Sequence, residues 1–222
     1  MNTKRFRFAT VLLALSFLLI STASAQELKT IKLLPPQKEG GMPLMQALNE
    51  RQTTRTFTEE RLTPQQLSDL LWAAWGINRA DQKKRTAPSA MNYQEMDVYV
   101  ALPGGLYLYV AETNTLKMIN NKDLRKTTGT QSYVNNAALN LVYVADMGRA
   151  GKKEGVKIDD SDLLMSYSDA AFMAQNVYLY CASANLGCVV RGSIPKEKLA
   201  AEMGLRSNQI IILAQTVGVA KK

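Results

Sequence analysis

Asp97-Val98-Tyr99-Val100-Ala101-Leu102-Pro103-Gly104-Gly105-Leu106-Tyr107-Leu108-Tyr109-Val110 reads as two strands folded back on each other. Residues 97–102 and 106–110 are runs of β-branched, aromatic and aliphatic side chains, and Pro103-Gly104-Gly105 between them is turn chemistry. Upstream, Thr63-Pro64-Gln65-Gln66 supplies an N-cap threonine, a proline at the first helical position and a glutamine at the capping-box position. Leu67, Leu70, Leu71 and Ala74 then recur at helical spacing, Trp72 and Trp75 sit on the flanks as packing residues, and Gly76 closes the helix. Before it come an extended lead-in at 26–41, a short helix at 43–51 with Met45 and Leu48 on one face, and a polar, basic stretch at 51–58. Between helix and hairpin, 79–94 reads as an ordered loop.

Downstream of the hairpin, 116–129 is expected to be helical in part, and 139–145 carries a buried-strand signal. Residues 148–162, rich in glycine and charge, read as a mobile surface loop and a candidate lid. The longest helix is expected from Ser168 to about Ala184, with Asp169 in its first turn, where a carboxylate suits the dipole. Ala170, Met173, Ala174, Val177, Tyr178 and Cys181 make it apolar around much of its circumference, as in a central or interfacial helix. A short strand at 188–190, a small helix at 195–203 and a last strand at 210–217 complete a mixed α and β chain of one domain.

Residues 1–25 stand apart. Lys4, Arg5 and Arg7 precede an apolar run at 9–20, and Ala23-Ser24-Ala25 is an A-x-A cleavage site, the pattern of a secretory signal peptide. The apolar run falls short of the ~20 residues of a membrane span, and no cysteine follows the cleavage site. The expected product is an exported, periplasmic chain with no stable membrane anchor, an extended segment at 26–42 and one domain at 43–222. Removing the leader lowers the formal net charge from +8 to about +5. That excess contains no long basic run, so nucleic acid is not an expected partner; it suits a phosphate-bearing ligand. The chain has no histidine, which removes His-based triads, His-ligated zinc and His-ligated haem. No metal site is expected, and redox or group-transfer chemistry would belong to a cofactor. Export permits a disulfide between Cys181 and Cys188, but two free thiols across a helix end is the preferred reading.

Two constellations bear on chemistry. In Arg51-Gln52-Thr53-Thr54-Arg55 two guanidinium groups with hydroxyls between them can converge on one phosphate. In Pro88-Ser89-Ala90-Met91-Asn92-Tyr93-Gln94, small and amide residues offer hydrogen bonds to the edge of a planar heterocycle. Taken in order with Leu67-Ser68-Asp69-Leu70-Leu71-Trp72-Ala73-Ala74-Trp75-Gly76-Ile77-Asn78-Arg79 and the Asp97–Val100 run, they resemble the FMN-dependent nitroreductase superfamily, in wording closest to its SagB-type (azoline-oxidising) dehydrogenase branch. The likeness extends over most of 43–218.

The resemblance implies an α+β nitroreductase-like fold: a central, mostly antiparallel sheet flanked by helices, with the long helix at a homodimer interface. It implies FMN, with Arg51, Gln52, Thr53 and Arg55 at its phosphate and pyrimidine edge. Ser89, Ala90, Met91 and Asn92 would line the ring, in part from the second subunit, Gln131 would touch it, and Val190, Arg191 and Gly192 would pass its reactive side. Many members carry an acidic residue where Arg191 stands. Lys221 or Lys222 would take the place of a longer basic tail. The function so implied is hydride or electron transfer between a reduced donor and a small organic acceptor, of nitro, quinone or heterocyclic type. The alternatives are an azoline-type peptide dehydrogenase, for which Tyr167 follows Ser166 where a Lys-Tyr pair is described, and a flavin- or ligand-binding protein without turnover.

Overall fold

The computed structural model describes residues 29–221, so the leader at 1–25 and Lys222 lie outside the described residues. The hairpin forms as read: β4 (Met96–Leu102) and β5 (Gly105–Val110) pair antiparallel, with Leu102 opposite Gly105. Gly105 is required twice over, since its φ is +141° and a Cβ there would lie 2.5 Å from the Asn120 carbonyl oxygen. The other strands of the sheet are β1 (Thr30–Lys32), β6 (Thr115–Asn120), β7 (Leu139–Asp146), β8 (Gly187–Arg191) and β9 (Gln209–Gly218). They lie in the order β1-β6-β5-β4-β7-β9-β8, and every neighbouring pair is antiparallel. A two-stranded ribbon, β2 (Ile77–Arg79) with β3 (Lys84–Arg85), orders part of the loop expected at 79–94.

The central strands are covered on both faces, which is why they read as continuous apolar runs. Val98, Val100, Leu139, Leu141 and Tyr143 enter one core with helices α2 (Pro64–Trp75) and α3 (Asp160–Ser183). Their alternates Tyr99, Ala101, Val142 and Val144 enter a second core with Leu199 and Met203 of α4 (Lys196–Met203). The alternation is the two-residue period of a pleated strand. The fold is therefore α+β, a large antiparallel sheet flanked by helices.

Three expectations need correction. The lead-in contains β1, which pairs with β6 at the sheet edge. Residues 116–129 supply β6, with helical character confined to a 3-10 turn at Arg125–Thr128; pairing with β5 outweighs the weak helical preference of Leu116, Lys117 and Met118. Helix α3 starts at Asp160 instead of Ser168, and its 24 residues span about 36 Å. The Asp162 carboxylate accepts the Asp159 N–H at 3.1 Å, and Leu163 and Ser166 carry the buried stripe on toward Ala170. Asp169 consequently lies in the third turn, buried, where it faces no dipole end.

The capping box of α2 closes as read: Thr63 Oγ1 accepts the Gln66 N–H at 3.1 Å, and Gln66 Oε1 accepts the Thr63 N–H at 2.9 Å. What remains of the charged loop before α3 is a set of turns stapled to the molecule by Lys152–Asp162 at 2.7 Å, Arg206–Glu154 at 3.3 Å and the Gly155 N–H to Ser207 Oγ at 3.1 Å. Cys181 and Cys188 are free and buried. Leu44, Met45 and Leu48 on α1 (Leu44–Glu50) and Leu164, Met165 and Phe172 on α3 stay exposed. Among the described residues no helix is long and apolar enough to cross a membrane.

Candidate functional site

The Arg51 stretch is held by three neighbours. The Thr54 N–H donates to the Cys188 carbonyl at 3.0 Å, the Thr58 N–H to the Val219 carbonyl at 2.9 Å, and the Lys221 N–H returns to the Thr56 carbonyl at 3.1 Å. Residues 54–58 thus run against β8 and residues 219–221. Tyr178, buried on α3, makes the join: its hydroxyl accepts the Val190 N–H at 3.0 Å and lies 3.1 Å from Thr53 Oγ1. Arg51 stands over the ring of Tyr178, 5.3 Å from its centroid. Arg51 and Gln52 line a cavity of about 630 Å³ with Tyr178, Cys181, Asn185 and Ala220. Neither Arg51 nor Arg55 has a carboxylate partner among the described residues. Arg51 beside the Thr53 hydroxyl offers donors matched to phosphate; Arg55 is exposed and stands outside the lining of that cavity.

Gln131 lies past the other end of β8, in a separate cavity. The Thr130 N–H donates to the Ser193 carbonyl at 3.4 Å and the two hydroxyls lie 3.2 Å apart, so the chain at Gln131 runs beside Gly192 and Ser193. Gln131 and Gly129 line a cavity of about 320 Å³ with Lys126 and Asn135. Gln131 Oε1 is buried and has no hydrogen-bond partner. An orphaned buried acceptor costs about 1–3 kcal/mol, and the N–H of a planar heterocycle would satisfy it. Arg191 alternates with Val190 on β8 and turns to the other face of the sheet, buried at 5% exposure. Its guanidinium donates to the Thr128 carbonyl at 2.6 Å, to Asn140 Oδ1 at 2.9 Å and to Thr216 Oγ1 at 3.1 Å. Burial lowers the guanidinium to about 10.

The Ser89 loop is not brought to these residues. It hangs from α3 nine residues before Tyr178, about 13 Å along the axis, where the Ala90 N–H donates to Asp169 Oδ2 at 3.0 Å. Ser89 and Asn92 line a separate cavity of about 230 Å³ with Arg79, Lys84 and Arg85. Met91 (φ +51°), Asn92 (φ +56°) and Gln94 (φ +48°) are all left-handed, a strained run for a methionine. It persists because Gln94 is over-determined: its side chain accepts from Arg85 Nε at 2.9 Å and donates to the Lys83 carbonyl at 3.0 Å, and its carbonyl accepts from Arg149 at 2.7 Å. Met91 at the tip is 82% exposed. Beneath the loop, Glu95 and Asp169 are both buried. Glu95 accepts from Ser166 Oγ at 3.0 Å and Ser89 Oγ at 3.2 Å. Burial pushes Asp169 up to about 6; the Ala90 N–H opposes the rise and the Glu95 carboxylate adds to it.

Three supporting groups were beyond the sequence pattern. Tyr178 reads as one more apolar residue of a helix, although a buried phenol needs a partner. Asp169 and Glu95 become a pair only once the register of α3 is known. No sequence signal marks Gly129. The residues that fit a cofactor are one group for a phosphate and one acceptor for a planar ring, and among the described residues no cluster of His, Cys, Asp and Glu could hold a metal. The arrangement suits a phosphate-bearing heterocyclic cofactor, with the reacting atoms supplied by that group.

The fold is shared with known proteins. Residues 48–219 match the family model described as the Nitroreductase family. A nitroreductase-like protein of Methanocaldococcus jannaschii is 23% identical over 180 residues, 77% of this chain and 88% of that protein. A crystal structure of a nitroreductase-like protein of Ralstonia eutropha JMP134 superposes with a TM-score of 0.81 at 43% identity, covering 89% of this chain and 92% of the other. A chain of the E. coli microcin synthetase McbBCD complex, solved with truncated pro-MccB17 bound, shares the fold with a TM-score of 0.67 at 17% identity, over 86% of this chain and 78% of that one.

Proposed function

This chain belongs to the nitroreductase family, and from that premise we propose that it is an exported, homodimeric FMN oxidoreductase acting on a small organic acceptor. The observation that carries the reading is Arg51, without a carboxylate partner among the described residues, near one end of β8, and the orphaned buried acceptor Gln131 Oε1 near the other. Arg51, Arg55 and Thr53 would hold the phosphate, with Lys221 beside Thr56 adding charge. Gln131 would accept from the ring, and Gln52 would contact it. Bound FMN supplies a ring that takes up and releases a hydride equivalent. The protein orients that ring between the Gln131 segment and residues 190–192, and Tyr178 holds Thr53 and Val190 in place.

The Ser89–Asn92 loop, strained and exposed at its tip, would close the site of a second copy. The bare stripe of Leu164, Met165 and Phe172 on α3 supplies the apolar surface for that pairing. The leader read at 1–25 supports a periplasmic location.

The purified chain is expected to show an oxidised-flavin absorption spectrum and to release FMN on chromatography. Charge-assisted hydrogen bonds are worth roughly 1.5–3 kcal/mol each, so Arg51→Ala with Arg55→Ala is expected to weaken FMN binding about 100-fold or more. A colourless protein that takes up no FMN would end this reading. A second reading, oxidation of a peptide heterocycle, is favoured by one contact: Lys196 Nζ lies 3.5 Å from the Tyr167 hydroxyl and over its ring. The lysine missing next to Tyr167 in sequence is thus provided by α4. Bleaching of the bound flavin by a thiazoline-bearing peptide, and not by NAD(P)H, would select it.

A further inference from the structure

We propose that Arg191 is an electrostatic element of the redox site, a cation buried without a counter-ion that makes the protein hold reduced, anionic FMN more tightly than oxidised FMN. This rests on the FMN reading above and deepens it.

The partners of the guanidinium are all neutral: the Thr128 carbonyl and hydroxyl, Asn140 Oδ1 and Thr216 Oγ1. A guanidinium has five N–H donors, and one on Nη1 is left without a partner among the described residues. The positions packed against it hold no acid: β7 contributes Asn140, β9 Thr216 and the 3-10 turn Thr128, and the titratable group that acts on it is the Tyr133 phenol. Asp146, the acid of β7, stands at the other end of that strand and pairs with Arg206 at 2.6 Å. Asp123, just before the turn, is already committed to Arg125 at 2.8 Å, and Lys126 on the turn is another cation. Burying a lone charge is costly, and the strands it touches are already paired in register through Asn140↔Thr216 and Arg191↔Ala214. The sheet does not need the charge.

Its position says what does. Gly129 lines the cavity that Gln131 also lines. A Cβ at residue 129 would lie 2.0 Å from Arg191 Nη1 and 2.8 Å from Gln131 Oε1, so the guanidinium and the Gln131 carboxamide close on one point that only a glycine leaves free. A ring seated against Gln131 is therefore only a carboxamide away from the cation, with no side chain at residue 129 between them. Charge felt across a dry, low-dielectric gap acts strongly. Oxidised FMN has a neutral ring, and reduced FMN gains a negative charge on its pyrimidine side, so a fixed cation favours the reduced form.

The test compares wild type with Arg191→Lys, Arg191→Met and Asn140→Asp. Each is loaded with FMN, its oxidised-FMN affinity is measured by fluorescence quenching, and its midpoint potential by dye-coupled reductive titration. Arg191→Met is expected to lower the preference for reduced over oxidised FMN at least about tenfold, which is ~30 mV for a two-electron couple. Arg191→Lys keeps the charge and is expected to stay close to wild type. Asn140→Asp gives up the Nδ2–H bond to the Val134 carbonyl at 2.7 Å but sets a carboxylate against the same guanidinium, so where it folds it is expected to move the potential in the direction of Arg191→Met. Should Arg191→Met fail to fold, the contrast between Asn140→Asp and Arg191→Lys decides. An unchanged potential in Arg191→Met and Asn140→Asp, or an equal fall in the lysine and methionine variants, overturns the proposal while FMN binding stands. Absence of FMN binding in the wild type overturns both.

Discussion

Gly129 adopts φ −174°, extended backbone open to any residue, and yet a side chain there has no space beside the Arg191 guanidinium and the Gln131 carboxamide. The guanidinium cannot yield cheaply, because it is fixed by Thr128, Asn140 and Thr216. Gly129→Ala is therefore expected to destabilise the fold by about 1–3 kcal/mol, the range for overpacking, measured by urea unfolding with the slope unchanged. A loss near zero would mean that the guanidinium can leave its network freely. The residue scale also marks how far reading along the chain can go. Arg51, Gln52, Thr53 and Arg55 are legible because their chemistry is contained in five consecutive positions. The need for glycine at 129 comes from an arginine 62 positions later, met across two elements, and no local pattern records it.

At the scale of elements, α3 is the part that matters. It holds the Thr53 and Val190 segments through Tyr178 and the Ser89 loop through Asp169. The sequence places its second half correctly, from the spacing of Ala170, Met173, Ala174 and Val177. Its first two turns are polar or exposed on one side and are hidden in a charged stretch, so the helix start and the burial of Asp169 go unread. That burial has a pH signature. An aspartic acid of the unfolded chain titrates near 3.9, and Asp169 in the fold is pushed up to about 6. The folded state keeps its proton over that interval, so it binds more protons than the unfolded state. The Asp169 contribution is present in full below about pH 4 and is lost as pH rises through about 6. Asp169→Asn can still accept the Ala90 N–H and can donate to Glu95. It is expected to flatten stability between pH 4 and 7 and to raise the melting temperature at pH 7.5. A slope equal to wild type would show that Asp169 does not carry the proton.

At the scale of the whole molecule, the proposed site falls into two parts that lie apart in one chain: Arg51, Val190 and Gln131 spread along β8, and the Ser89 loop with its cationic cavity. The central strands and their two cores follow from the continuous apolar runs that the sequence displays, whereas the edge strand β1 and its neighbour β6 depend on pairing for their identity and stay ambiguous. Phe172, half exposed on the bare stripe of α3, is expected to lie between two copies. Phe172→Glu should then give a monomer by size-exclusion chromatography with light scattering and lose FMN affinity about tenfold or more, the effect of a charge desolvated in an apolar interface. A dimeric, fully flavinated variant would place the interface elsewhere. The stapled turns before α3 have a different standing. They are tied by surface ion pairs such as Lys152–Asp162 and Arg206–Glu154, each worth at most about 1 kcal/mol, and none of those pairs includes a residue of the two half-sites. Arg149, earlier in the segment, holds the Gln94 carbonyl of the Ser89 loop, but variation at 153–158 is nearly free of cost to the scaffold: a lineage could exchange the length and charge of those residues generation after generation, trying new chemistry at the rim, without once disturbing the residues proposed to hold the flavin.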